Sequence, residues 1–322
     1  MTTVTGHADQ IAAFREALDS GRVHHAWLLA GPAGVGKATF ARAAALRLLA
    51  EAAGPKGAWP GLDVPSDHRI AVLMEAGSHP DLKILERLPK ERGDGLARSI
   101  TVDQARGLGR MFGLTPSLSA ARVVIVDAAD DLERGAANAL LKNLEEPPAG
   151  TIFLLVSHAP GRLLPTIRSR CRVLRFGPLS DGDTAAVLRH TDPGLSGPEV
   201  EALVRIANGS PGRAFGFAGL DIAGLDTVLA ELSTVGDPHN EVRVRLSRAL
   251  GPVAAQARYE AFLERAPAHI AETAGRRQGM ALQDAIKLWE RSRDLAGAAR
   301  GLSLPAESVT FEMAGIVAAL AL

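Results

Sequence analysis

Two hydrophobic rhythms divide the chain near residue 178. Before that point, short continuous apolar runs alternate with stretches of helical spacing. Residues 7–20 form an amphipathic helix, with Ile11, Phe14 and Leu18 at i, i+3 and i+7. Residues 26–30 read as a strand and 37–53 as a helix. Residues 54–69, rich in Gly, Pro and Asp, read as a loop, and 70–74 as a further short strand. The His79-Pro80-Asp81-Leu82 run marks a turn, and Gly93 to Gly95 another break. Thr101 is placed to cap a helix over 101–113. Residues 122–127 form a buried strand, and 130–145 a helix that Pro147 and Pro148 stop. Asp130 and Asp131 fit the start of that helix. Residues 151–157 and 172–176 are strands, with a short turn or helix over 163–170 between them. This alternation predicts an α/β domain with a mostly parallel sheet covered on both faces.

After residue 178 only helical patterns remain. Residues 181–218 form a small helical group, and later helices break near 236–239, 251, 275–279 and 301–305. Leu282, Ile286, Trp289 and Leu295 mark one apolar face. The run over 314–322 is too short to span a bilayer.

The chemistry is concentrated between the first strand and the helix after it. Gly31, Pro32, Ala33, Gly34, Val35, Gly36 and Lys37 match the G-x-x-x-x-G-K core of a phosphate-binding loop. Inward-pointing amides and the helix N-terminus cradle phosphate oxygens there, and the lysine adds a point charge. The next position needs a Ser or Thr hydroxyl for Mg²⁺, but it is Ala38. Thr39 is one residue late and points about 100° away around the helix. Asp127 ends the 122–127 strand, where an acid can face magnesium, but Ala128 stands where the acid that polarises water is needed. Nucleotide binding without hydrolysis is the strongest activity these residues support. Arg170, in the Ser169-Arg170-Cys171 run, carries a fork suited to phosphate oxygens. An ordinary surface ion pair is its alternative role. Cys171 reads as a small buried hydrophobe.

Composition narrows the classes. Basic and acidic residues balance at 36 each, so a strongly basic nucleic-acid coat is absent. Arg162, Arg168 and Arg172 remain as local contacts to a DNA backbone or to a protein partner. Aromatics make up only 4%, so Ala and Leu must fill the core. One cysteine excludes an intramolecular disulfide and a Cys-rich zinc site. No signal segment precedes the first helix, which fits a cytoplasmic protein.

Several runs, in order, resemble one family. They are His24-His25-Ala26-Trp27 with the loop 31–37, His79-Pro80-Asp81-Leu82, and Val123 to Asp127. They continue with Leu140-Leu141-Lys142-Asn143-Leu144-Glu145-Glu146-Pro147-Pro148, then Leu163 to Cys171, and Gly209-Ser210-Pro211-Gly212. Together they resemble the delta-prime subunits of bacterial DNA polymerase III clamp loaders, in the AAA+ superfamily. The resemblance implies a nucleotide-fold domain over 1–178, a helical lid over 179–219 and a helical collar over 220–322. It implies a rigid stator in a five-subunit loader with delta and the gamma/tau motor subunits. Sliding clamp and primer-template DNA would be met through the assembled complex, as part of a DNA polymerase holoenzyme. Arg170 would be the finger offered to a motor subunit's ATP site, with Ser169 and Cys171 setting its geometry. Ser157 falls at the polar sensor of the γ-phosphate, and Arg213 one residue after a second sensor position, which is Gly212 here. No cofactor is required for that role, although ATP or ADP can be held without hydrolysis. The four-cysteine zinc module of many relatives is missing from 51–80. An ATP-hydrolysing motor subunit of the same loader, or another AAA+ ATPase, is the rival reading; it needs Ser or Thr at 38 and Glu at 128.

Overall fold

Five apolar runs pair side by side in the computed structural model, which describes residues 3–54, 57, 59–90, 96–302 and 304–321. In chain order the first elements are α1 (Ala8–Asp19), β1 (Ala26–Ala30), α2 (Lys37–Ala53), α3 (Arg69–Glu75), β2 (Leu82–Glu86) and α4 (Val102–Arg106). Then come α5 (Leu108–Phe112), β3 (Arg122–Asp127), α6 (Arg134–Glu145), β4 (Thr151–Ser157), α7 (Pro165–Arg168) and β5 (Arg172–Arg175). All strand pairs are parallel, in the order β2-β3-β4-β1-β5.

The strand residues alternate between two buried layers, as the two-residue repeat of a strand requires. Trp27, Leu29, Val123, Ile125, Leu154 and Val156 pack with Phe14, Phe40 and Leu49 on one face. Leu28, Val124, Val126, Phe153 and Leu155 pack with Leu140, Leu144 and Ile167 on the other. Edge strand β5 leaves Arg172, Val173 and Arg175 exposed, and its charges discourage further strand pairing.

Three elements differ from the sequence expectation. Residues 70–74 lie in helix α3; its run mixes Ala, Leu and Met, good helix formers, and buries only Ile70 and Ala71. The edge strand is β2 instead, with Leu82 to Glu86 registered against Val123 to Asp127. The helix expected over 101–113 is two short ones meeting at Gly107, the first with a Thr101–Gln104 capping box. The helix expected from 130 starts at Arg134, and residues 129–131 form a 3₁₀ turn. The break expected at Gly93 to Gly95 lies outside the described residues.

Past β5 come α8 (Asp181–Thr191), α9 (Gly197–Ala207), α10 (Pro211–Ala214), α11 (Ile222–Val235), α12 (Glu241–Leu250), α13 (Gln256–Ala274), α14 (Gly279–Leu302) and α15 (Ala306–Ala318). The breaks near 236–239, 251, 275–279 and 301–305 fall between these helices or at their ends. Internal contacts divide the chain into two compact units, residues 1–184 with 209–212, and 185–208 with 213–322. The second unit has its own core, with Leu203, Leu229, Phe262, Ile270, Met313 and Val317 at its centre. Within it the buried Arg265 joins Asp226 and Glu272. Leu282, Trp289 and Leu295 pack on this core, whereas Ile286 is 42% exposed and leaves the expected face. Among the described residues no helix is long and apolar enough to cross a membrane.

Candidate functional site

The strand order puts β4 between β1 and β3. The C-terminal ends of these three strands therefore gather the loop after β1, Asp127 and Ser157 at one edge, where open parallel sheets bind ligands. The Gly31 amide donates to the Ser157 carbonyl at 3.2 Å. A Cβ at Gly31 would lie 2.2 Å from the Phe176 carbonyl oxygen, so this approach is open to glycine alone.

Inside the loop, Lys37 is 2% exposed. Its Nζ donates to the Gly31 carbonyl at 2.7 Å and to the Pro32 carbonyl. Burial pushes its ammonium down to about 8, against the opposing pull of Asp130 and Asp127. Ala33 is exposed at the loop's tip and Val35 is buried beneath it. The Val35 carbonyl accepts from His7 Nε2 at 2.8 Å, and the Gly34 carbonyl from the Gly212 amide at 2.9 Å. A Cβ at Gly212 would stand 2.8 Å from Gly34 Cα. A side chain at position 212 would therefore collide with the loop backbone. Gly36 caps α2, and Ala38 follows in its first turn with a methyl where a metal-binding hydroxyl would be. Thr39 lines a groove with Met74, Glu75, Leu82 and Ile84. The donor set does not fit a magnesium nucleotide held for hydrolysis: the cation is spent on carbonyls and the hydroxyl is missing.

Asp130 is the residue the sequence pattern misassigned. Its carboxylate accepts from Ser157 Oγ at 2.9 Å, from the His158 amide at 2.6 Å and from the Ala159 amide at 3.1 Å. It thereby closes the end of β4 instead of starting a helix. The same bond commits the fully buried Ser157 hydroxyl to Asp130. Asp127 ends β3 partly exposed, with Ala128 buried beside it. Among the described residues no cluster of three or more His, Cys, Asp and Glu side chains is placed to hold a metal ion.

At the opposite ends of the strands, where Arg172 of β5 is in register with Trp27 of β1, the turn between α7 and β5 presents Arg170. Its side chain is 34% exposed, with Nη2 2.8 Å from Glu145 Oε1. Nη1 donates to the Thr166 carbonyl at 2.9 Å and lies 3.5 Å from Ser169 Oγ. Ile167 anchors this turn in the core. Burial pushes the neighbouring Cys171 thiol up to about 12, so it packs as an inert hydrophobe. Arg168 donates to the Pro160 carbonyl at 3.2 Å, and Arg172 lies 4.9 Å over the Trp27 ring. Those arginines serve the fold here. In the second unit, Arg213 Nη2 pairs with Glu264 at 2.7 Å.

The long loop after α2 is organised by Arg47, 1% exposed. It pairs with Glu51 and donates to the Trp59 and Asp63 carbonyls, both at 3.2 Å, and to the Gly57 carbonyl at 3.4 Å. Its guanidinium also lies 5.0 Å from the Trp59 ring centre. The His-Pro-Asp-Leu motif is a second brace. His79 Nδ1 accepts the Asp81 amide at 3.1 Å, and the Asp81 carboxylate accepts the Ser117 and Leu118 amides at 2.8 and 2.9 Å.

A family model described as DNA polymerase III, delta subunit, matches residues 6–180, more than half of the chain. The chain belongs to this family. The delta-prime subunit of DNA polymerase III from Pseudomonas aeruginosa is 40% identical over 189 residues, 58% of this chain and 53% of that protein. The delta-prime subunit from Escherichia coli K12 is 36% identical over 196 residues, 61% of this chain and 54% of that one. The gamma subunit from Buchnera aphidicola of Schizaphis graminum is 32% identical over 187 residues, 58% and 47% of the two chains. This chain thus spans about half the length of the curated relatives it matches. A solved gamma subunit-related protein from Thermotoga maritima is similar over 98% of this chain and all of that one, at 14% identity and a TM-score of 0.46.

Proposed function

We propose that this family member is the stator of a replicative clamp loader. It forms a hetero-pentamer with the delta and gamma/tau motor subunits and offers Arg170 to the ATP site of a neighbouring motor subunit. Sliding clamp and primer-template DNA are met through the assembled complex. In this reading residues 1–178, 179–219 and 220–322 act as nucleotide fold, lid and collar, and the protein works in the cytoplasm. The loop 31–37 does not hydrolyse ATP, and any ATP or ADP in it is held unhydrolysed; no zinc is involved.

One contrast carries the reading: the loop lacks the hydroxyl at 38 and the acid at 128, while Arg170 stands partly exposed on a turn anchored in the core. An arginine offered to a phosphoryl group stabilises charge that develops during transfer. The gamma-type relatives keep the motor reading in view, but Ala38 and Ala128 both count against it. The test reconstitutes the loader with Arg170→Ala in this chain. ATP turnover and clamp loading should fall while the isolated chain keeps its melting temperature. Unchanged turnover removes the finger role. ATP turnover by the pure isolated chain at an ordinary ATPase rate removes the stator reading.

A further inference from the structure

Glu145 is the last residue of α6, at the negative end of that helix, with Glu146 beside it. The helix dipole disfavours a carboxylate there, so a cation partner is favoured. The position is fixed from both sides: Pro147 and Pro148 stop the helix, and His25 Nε2 donates to the Leu144 carbonyl at 3.2 Å. The cation that arrives is Arg170, from 25 residues along the chain, with Nη2 on Glu145 Oε1 at 2.8 Å and Nη1 on the Thr166 carbonyl. Both terminal nitrogens of the guanidinium thus face its own chain.

The pair is wet, with side chains 34% and 45% exposed, and such pairs hold weakly. A phosphate oxygen cluster carries more charge and more acceptors than one carboxylate and draws an arginine fork from it.

We propose that Glu145 is a positioning residue: it holds Arg170 in a withdrawn pose and releases it when the phosphates of a neighbouring subunit's nucleotide come within reach. This rests on the finger reading of Arg170. The carboxylate lowers the idle rate of the assembly by competing for the guanidinium, and it keeps the long side chain ordered between encounters.

The experiment compares native, Glu145→Gln, Glu145→Asp and Arg170→Ala chains, and the Glu145→Gln/Arg170→Ala double variant, in the reconstituted loader, with ATP and without clamp or DNA. Glu145→Gln should raise kcat about two- to five-fold, the span of a weak exposed pair, with KM for ATP unchanged. Glu145→Asp should stay near native, and the double variant should match Arg170→Ala alone. Melting of the isolated Glu145→Gln chain should match native, which separates positioning from a folding role. If Arg170→Ala lowers turnover but Glu145→Gln leaves it unchanged or reduces it, the restraint is overturned and the finger stands. A Glu145→Gln effect that persists without Arg170 also overturns it. If Arg170→Ala changes nothing, the finger reading itself falls.

Discussion

The phosphate loop and the arginine turn each carry a cation suited to phosphate, and the fold treats the two in opposite ways. Lys37 is 2% exposed and bound to carbonyls five and six residues before it. Arg170 is 34% exposed and bound to a carboxylate on another element, itself 45% exposed. A cation buried on neutral carbonyls of its own loop leaves those acceptors without their donor when it moves. A cation in a wet pair can leave at little cost. The two cations thus differ in how freely they can change partners, a difference that the match to a phosphate motif does not reveal.

The sharpest way to break this contrast is functional. Arg170→Ala should reduce single-turnover hydrolysis at the neighbouring site about 10³-fold, measured by rapid quench on the reconstituted loader. Lys37→Ala in the same assay should leave that rate within about two-fold. Equal losses from both substitutions would erase the distinction.

A third cation sharpens it on the side of stability. Arg47 is more buried than either, and Arg47→Ala would leave the Glu51 carboxylate, 8% exposed, with only the Arg15 guanidinium at 4.0 Å, and three loop carbonyls without their donor. Urea unfolding should show a loss of about 3 kcal/mol, from the weakened charge pairing and the unpaired carbonyls. A smaller loss of about 2 kcal/mol is expected for Asp130→Ala, which strands the buried Ser157 hydroxyl and the two amides that follow it. A variant as stable as native would show that the end of β4 does not depend on this carboxylate.

The last effect is a pH slope, small at any one step of pH. Folding lowers the Lys37 pKa from 10.5 to about 8, chiefly by burial, so the folded chain binds fewer protons than the unfolded chain between those values. Stability from this group therefore rises as pH rises through that window, by at most about 1.4 kcal/mol per pH unit. Lys37→Met should flatten this part of the profile, and Arg170→Ala should leave it as it is. Denaturant midpoints measured across that range decide the point.

Much of the first unit was legible because its signals are local. Four of the five strands follow from apolar runs that need no distant partner to be recognised. The fifth was missed because 70–74 and 82–86 are both short apolar runs, and only pairing with β3 selects the second. Asp130 was misassigned for a related reason. An acid before a helical run looks like a helix start, and nothing nearby in the chain points to the end of β4, 27 residues on. Glu145 belongs to the Leu140–Pro148 run, but its partner 25 residues on is not visible from spacing.

By itself the sequence determined the alternation of strands and helices, the glycine-bearing loop, and the alanines at 38 and 128. These depend on residue type within a few positions, where backbone sterics and side-chain chemistry act directly. Only the tertiary structure decided which polar groups meet: Lys37 turned onto its own loop, Gly212 against Gly34, Asp130 on Ser157, Arg170 on Glu145. The physical reason is that hydrogen-bond satisfaction is a property of neighbours in space. Strand order brings those neighbours together across tens of residues, and no local pattern encodes that order.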